Sequence, residues 1–142
     1  MPSSIYFFCE DIQFRLLSVR QIKSWVKKVI NAEKKLLGHL NYIFCSDAIL
    51  SEMNEHYLNH STLTDIITFD TADQPGVIDG EIYISIDRIR ENSSKYKVSF
   101  EEELHRVMIH GVLHLMGYKD KTQLQKRAMR KKEHAYLSLK TF

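Results

Sequence analysis

The chain of 142 residues predicts an α+β fold. Three observations carry that expectation. Short β-like stretches are interleaved with helix-periodic ones, without the regular strand–helix–strand alternation of a doubly wound sheet. No Ser/Gly/Pro-rich linker, repeat or low-complexity tract interrupts them, so a single domain over 1–142 is expected. A compact chain of this length buries roughly two-thirds of its unfolded surface, enough for one core.

The elements follow in order. IYFFCEDIQFRL (5–16), rich in aromatic and branched residues, predicts a first strand. Ser18 and Gln21 have capping-box spacing and open a helix with the stripe Val19, Ile22, Val26, Val29, Ile30 and Leu36, which Gly38 closes. LNYIFC (40–45) alternates as a second strand, and Asp47 caps a short helix carrying Ile49, Leu50, Met53 and Tyr57. DIITFDT (65–71) is a third strand, the turn-rich ADQPGVIDG follows, and a fourth strand covers 80–86. A polar helix near 87–95 precedes the segment of most chemical interest. A last helix runs from about Thr122 toward Leu139, with Thr122 and Gln125 at capping-box spacing.

That segment is SFEEELHRVMIHGVLHLMGYKDKT, 99–122. Ser99 and Glu102 have capping-box spacing, three glutamates favour the N-terminal dipole, and Gly117 is placed to end the helix. Leu104, Val107, Met108 and Leu115 are its expected buried residues. His110 and His114 stand four apart, so a helix puts both imidazoles on one face, where they can chelate one divalent metal. Beyond Gly117 the chain can swing Asp120 back, completing three ligands with a fourth position left for water. Gly111 occupies the place where H-E-x-x-H peptidases carry their general base, which disfavours a metallopeptidase.

Three stretches resemble the YbeY family of bacterial metal-dependent endoribonucleases. HGVLHLMGYKD (110–120) is similar to its H-G-x-L-H-L-x-G-Y-D-H signature, with Asp120 where the family has a third histidine. MNEHYLNHSTLTDIITF (53–69) and GEIYIS (80–85) resemble its two other motifs. The resemblance implies a zincin-like α+β domain with a small mixed four-stranded sheet. It also implies cleavage of single-stranded ribosomal RNA, in maturation of the 16S 3′ end and ribosome quality control, with the ribosomal small subunit as partner. The cofactor expected is one divalent ion, zinc with manganese or nickel as alternatives. A carboxylate third ligand predicts bound water less acidic than at a three-histidine site and a looser preference for zinc.

Other residues carry two readings each. Thr64 and Asp65 match the family's T-D, either as a side chain-to-backbone turn or as a carboxylate orienting a liganding imidazole. His60, paired at i, i+4 with His56, is a candidate for substrate contact or proton transfer. Leu58 stands where the family carries an arginine, so another cation must take over phosphate binding or catalysis is weaker. This favours the rival reading, a non-catalytic ribosome-assembly factor stabilised by its metal. Lys126, Arg127, Arg130 and Lys131 lie along one side of the last helix, as a solvated face or a contact for the RNA backbone. His105, five residues before His110, is off the metal face and should pack or face solvent.

Composition sets the outer bounds. Apolar residues at 44% and charged ones at 27% are those of a globular chain, and the net charge of +2 is mild. No apolar run of 18 residues and no signal peptide are visible, so a cytoplasmic protein without membrane contact is expected. Cys9 and Cys45 lie in apolar strand-like contexts as buried reduced thiols, and no dinucleotide cofactor is expected.

Overall fold

A computed structural model describes residues 4–58 and 64–142. The described chain runs β1 (Ser4–Cys9), α1 (Val19–Ala32), β2 (Leu36–Cys45), α2 (Asp47–Leu58), β3 (Ile66–Asp70), β4 (Val77–Ser85), α3 (Ile86–Tyr96), α4 (Phe100–Leu115) and α5 (Gln123–Leu137). The strands form one mixed sheet in the order β1-β2-β4-β3, with β1, β2 and β4 parallel and β3 antiparallel to β4. The architecture is α+β, as predicted.

Several element ends differ from those the sequence predicts; β4 begins at Val77, ahead of 80, and the others have local reasons. The first strand stops at Cys9 instead of reaching 16, and at that strand end the Cys9 residue is exposed, not buried as Cys45 is. Beyond it the Asp11 carboxylate accepts hydrogen bonds from the Ser46 amide (3.0 Å) and hydroxyl, turning the chain away from the sheet. Ile12, Phe14 and Leu16 still pack on the core, Phe14 edge-on to Phe44 at 5.1 Å, so their alternation reflects burial without a ladder. Ser18 adopts a left-handed conformation (φ 59°) and makes no side-chain cap, so no capping box with Gln21 forms. The helix it precedes ends at Ala32, where Lys34 (φ 59°) makes the left-handed turn expected of Gly38. Leu36 therefore opens β2, exposed, and Gly38 sits inside that strand at a shift of register between Leu37 and Leu40. A Cβ on Gly38 would lie 2.9 Å from Asp79 Oδ2. At α2 the cap is Ser46, whose hydroxyl accepts from the Ile49 amide at 3.3 Å. Asp47 instead binds the Ser85 hydroxyl (2.6 Å) and Arg88 Nε (3.0 Å).

Helix α4 is the central element, as its apolar content predicts. Leu104, Val107, Met108 and Leu115 are all buried with the sheet residues Leu40, Tyr42, Ile82 and Ile84. The Tyr42 hydroxyl donates to the Met108 carbonyl at 3.1 Å, pinning the helix to β2. Trp25 Nε1 donates to the Tyr136 carbonyl at 2.8 Å, joining α1 to α5. These contacts hold α4, with its histidines, at a fixed height over the sheet.

His105 packs, buried between Trp25 and Phe142, with ring centroids 5.8 and 5.4 Å away. Its Nδ1 accepts from Lys140 Nζ at 2.6 Å. Burial, and then the Lys140 charge, push its pKa down from 6.5 to about 4. Because the folded state disfavours the proton, stability is full above pH 6.5 and is lost as pH falls toward 4. The expected loss is ~2–3 kcal/mol. Urea unfolding at pH 7 and 4.5 should show a smaller pH-dependent difference for His105→Phe than for wild type; equal differences would clear His105 of this role.

Candidate metal centre

The helix that carries the histidines is built from its ends. Ser99 Oγ accepts from the Glu102 amide at 3.0 Å, with Glu101, Glu102 and Glu103 in the first turn. At the other end Gly117 takes φ +103°, its amide donating to the His114 carbonyl (3.0 Å) and that of Tyr118 to the Leu113 carbonyl (3.1 Å). This is a Schellman stop, and a side chain at Gly117 would strain it. The turn sends the chain back across the end of α4 and presents Asp120.

The three residues converge. His110 Nε2 and His114 Nε2 are 2.9 Å apart, and Asp120 Oδ2 lies 3.2 and 3.4 Å from them. Tetrahedral bonds of ~2.0–2.1 Å place ligand atoms about 3.3 Å apart, so the triangle is of the size one ion would need, with no fourth side-chain ligand among the described residues. The outer nitrogens settle the tautomers. His110 Nδ1 is 2.6 Å from the Glu133 carboxylate and His114 Nδ1 is 3.0 Å from the Tyr118 carbonyl, and both partners only accept. Each Nδ1 therefore donates to an oxygen, which leaves each Nε2 as the atom that would offer a lone pair to an ion. Burial, followed by the neighbouring His110, holds the His114 imidazole below its ordinary pKa, which keeps it neutral and available as a ligand.

A cleft of about 310 Å³ opens over these atoms, lined also by Thr64, Asp65, Ile66, Ile67 and Thr68. Thr64 takes the turn role: its Oγ1 donates to the Ile66 carbonyl at 3.2 Å. Asp65 holds neither liganding imidazole, since both Nδ1 atoms have other partners; it lies 4.0 Å from Arg106 Nη2. Burial raises its pKa, with Arg106 and His110 opposing. The carboxylate that does orient an imidazole is Glu133, 2% exposed and bound to Arg106 Nη1 at 3.0 Å. Burial would raise its pKa, but the His110 hydrogen bond and the Arg106 charge outweigh it and hold Glu133 ionised. Arg106 also makes a two-pronged contact with Glu103, at 3.0 and 2.8 Å.

Glu133 and Arg106 escaped the sequence reading. The available signal was Glu133's position between Met129 and Tyr136, an acid on the buried stripe of a helix otherwise crowded with cations. Lys126, Arg127, Arg130 and Lys131 are all exposed and do not line the cleft; Arg130 Nε lies 3.9 Å from Glu133. Leu58 ends α2 with its side chain outside the described residues, as is His60 altogether. Arg106, the cation brought beside the cleft, is already engaged by Glu103 and Glu133.

Residues 8–140 match the family model described as endoribonuclease YbeY. The chain belongs to the YbeY family. It is 51% identical over 138 residues to the endoribonuclease YbeY of Amoebophilus asiaticus, spanning 96% of this chain and 94% of the relative. To the endoribonuclease YbeY of Flavobacterium psychrophilum it is 52% identical over 132 residues, 93% and 94% of the two chains. Its fold is similar to the solution structure of TM1509 from Thermotoga maritima, with a TM-score of 0.64 at 26% identity over 95% of this chain and 87% of that one. No helix among the described residues is long and apolar enough to cross a membrane.

Gly111 gives a steric reason against the peptidase arrangement in this YbeY-family fold. A Cβ there would meet Ile66 Cδ1 and Ile82 Cγ2, each at 2.9 Å. A glutamate there would have to displace the ends of both isoleucines. For Gly111→Ala, overpacking at ~1–3 kcal/mol exceeds the helix-propensity gain of about 1 kcal/mol. The variant should unfold at lower urea than wild type; an unchanged midpoint would mean that the two isoleucines yield freely.

Proposed function

We propose that the protein is a metal-dependent endoribonuclease acting on single-stranded ribosomal RNA in the cytoplasm, in maturation of the small-subunit RNA. The observation that carries this reading is the convergence of the two Nε2 atoms and Asp120 Oδ2 at the floor of a cleft. The 16S 3′ end, the ribosomal small subunit as partner and zinc as the ion come from the family resemblance. His110, His114 and Asp120 would hold the ion. When bound, such an ion supplies Lewis acidity and an activated water at neutral pH.

The chain's own residues do the rest. Glu133 keeps the His110 proton on Nδ1, and the Tyr118 carbonyl does the same for His114. Asp120 would offset one positive charge of the ion and make the site less selective among divalent metals than a three-imidazole set would be. Ile66, on the α4 face of β3, gives the cleft an apolar edge, while the Ile67 side chain is buried on the other face of the sheet with Cys45 and Leu50.

The test uses purified protein with zinc or manganese on a labelled single-stranded fragment of precursor 16S RNA and on its duplex. Cleavage of the single strand, abolished by chelator and by His114→Ala, supports the reading. Metal binding without cleavage would favour the non-catalytic assembly factor, to which Leu58 and the fully engaged Arg106 point. Cleavage that survives His114→Ala would place the reaction elsewhere.

A further inference from the structure

Glu33, in the turn that ends α1, gathers three donors from two distant segments. Its Oε1 accepts from the Tyr118 hydroxyl at 2.6 Å. Its Oε2 accepts from Lys132 Nζ at 2.8 Å and from the Tyr136 hydroxyl. The carboxylate is only 10% exposed, and the Lys132 ammonium also lies 5.7 Å from the centre of the Tyr118 ring. Tyr118 is thus clamped from its side-chain end, 85 residues away in sequence from its partner.

The other end of Tyr118 is its carbonyl, which fixes the His114 proton. Two residues later comes Asp120. The chain beyond is pinned again, since Gln125 Oε1 accepts from the amides of Lys121 (3.0 Å) and Thr122 (3.1 Å). Between Gly117 and Thr122 the backbone belongs to no helix or strand, so these anchors set where it lies. A metal site needs its groups held within ~0.5 Å, which a free turn does not provide.

We propose that Glu33 is a positioning residue for the metal centre: through Tyr118 it fixes both the carbonyl that aims His114 and the short segment that presents Asp120. The proposal rests on the reading of His110, His114 and Asp120 as a metal site. Tyr136 shares the carboxylate but has no link to the ligand segment, so it separates positioning from mere cohesion.

Cobalt(II) alone is the probe, read by its visible absorption and its dissociation constant in wild type, Tyr118→Phe, Glu33→Gln and Tyr136→Phe. Tyr118→Phe and Glu33→Gln should weaken cobalt binding about tenfold and alter the band shape, as loss of an outer partner does. Tyr136→Phe should leave both near wild type. Equal weakening by the two tyrosine variants, or none by Tyr118→Phe, overturns the proposal. Amide hydrogen exchange of the metal-free proteins supplies a readout independent of any ion. Residues 118–121 should exchange faster in Tyr118→Phe while Val107 and Met108 do not; unchanged exchange overturns the clamp. A wild type that fails to bind cobalt would instead sink the metal reading, leaving the exchange result to judge the clamp.

Discussion

Glu133→Ala is expected to lower divalent-metal affinity about 10–100-fold, the usual effect of removing the partner that orients a liganding imidazole. The reason is specific to His110. With Glu133 gone, its Nδ1–H loses its acceptor at 2.6 Å, and the proton is free to sit on Nε2, the atom that must bind metal. Stability should fall too. Breaking a buried ion pair costs ~3–5 kcal/mol when the partner is stranded. Here Arg106 keeps Glu103 at 2.8 Å and Asp65 at 4.0 Å, so the loss should lie at or below the lower end. Glu133→Gln keeps an oxygen that can accept from His110 and should bind metal more tightly than the alanine variant. Metal titration and urea unfolding in chelator separate the two effects. Wild-type affinity in Glu133→Ala would mean that His110 is oriented by the helix alone.

The division between what the sequence disclosed and what it hid follows the range of the interactions. The histidine helix was legible because everything that makes it is local: the Ser99 cap, the four-residue spacing of His110 and His114, and the stop at Gly117. Capping at Thr122 with Gln125 was legible for the same reason and forms in both directions. Ser18 and Gln21 have the same spacing, yet no cap forms, because Ser18 enters its helix from a left-handed conformation. Spacing proposes a cap; the path of the incoming chain decides it. Lys34 makes a left-handed turn without glycine, so the sequence reading moved the end of that helix to Gly38. Residues 10–16 alternate because every second side chain meets the core, which a loop lying on a sheet edge can do without a ladder. Glu133 and Glu33 were hidden because their meaning depends on partners 23 and 85 residues away. A carboxylate on a helix rich in lysine and arginine reads as a surface pair until the rotation of that helix is known.

If Asp120 is a ligand as proposed, Asp120→Asn is expected to reduce metal affinity by more than the about 10–100-fold that follows loss of an outer partner. The amide is nearly the same size, so the turn after Gly117 and the clamp on Tyr118 should persist. What disappears is the charge on the oxygen 3.2 and 3.4 Å from the two imidazole nitrogens. Asp120→His should restore binding at least in part, since imidazole nitrogen binds zinc at nearly the same length as carboxylate oxygen. Its longer reach is the difficulty, as the segment here is held at carboxylate distance. The Asp120 side chain is 38% exposed, which leaves an imidazole room to bow outward into the mouth of the cleft and return to the ion. The exchanged ligand should also sharpen the preference for zinc over manganese, because a neutral nitrogen replaces a charged oxygen. Metal content after dialysis in one buffer, measured for wild type and both variants with zinc and manganese in turn, tests both statements. Full occupancy in Asp120→Asn would remove Asp120 from the ligand set and leave a two-histidine site that needs its third ligand from outside the described residues, with His60 the first to examine.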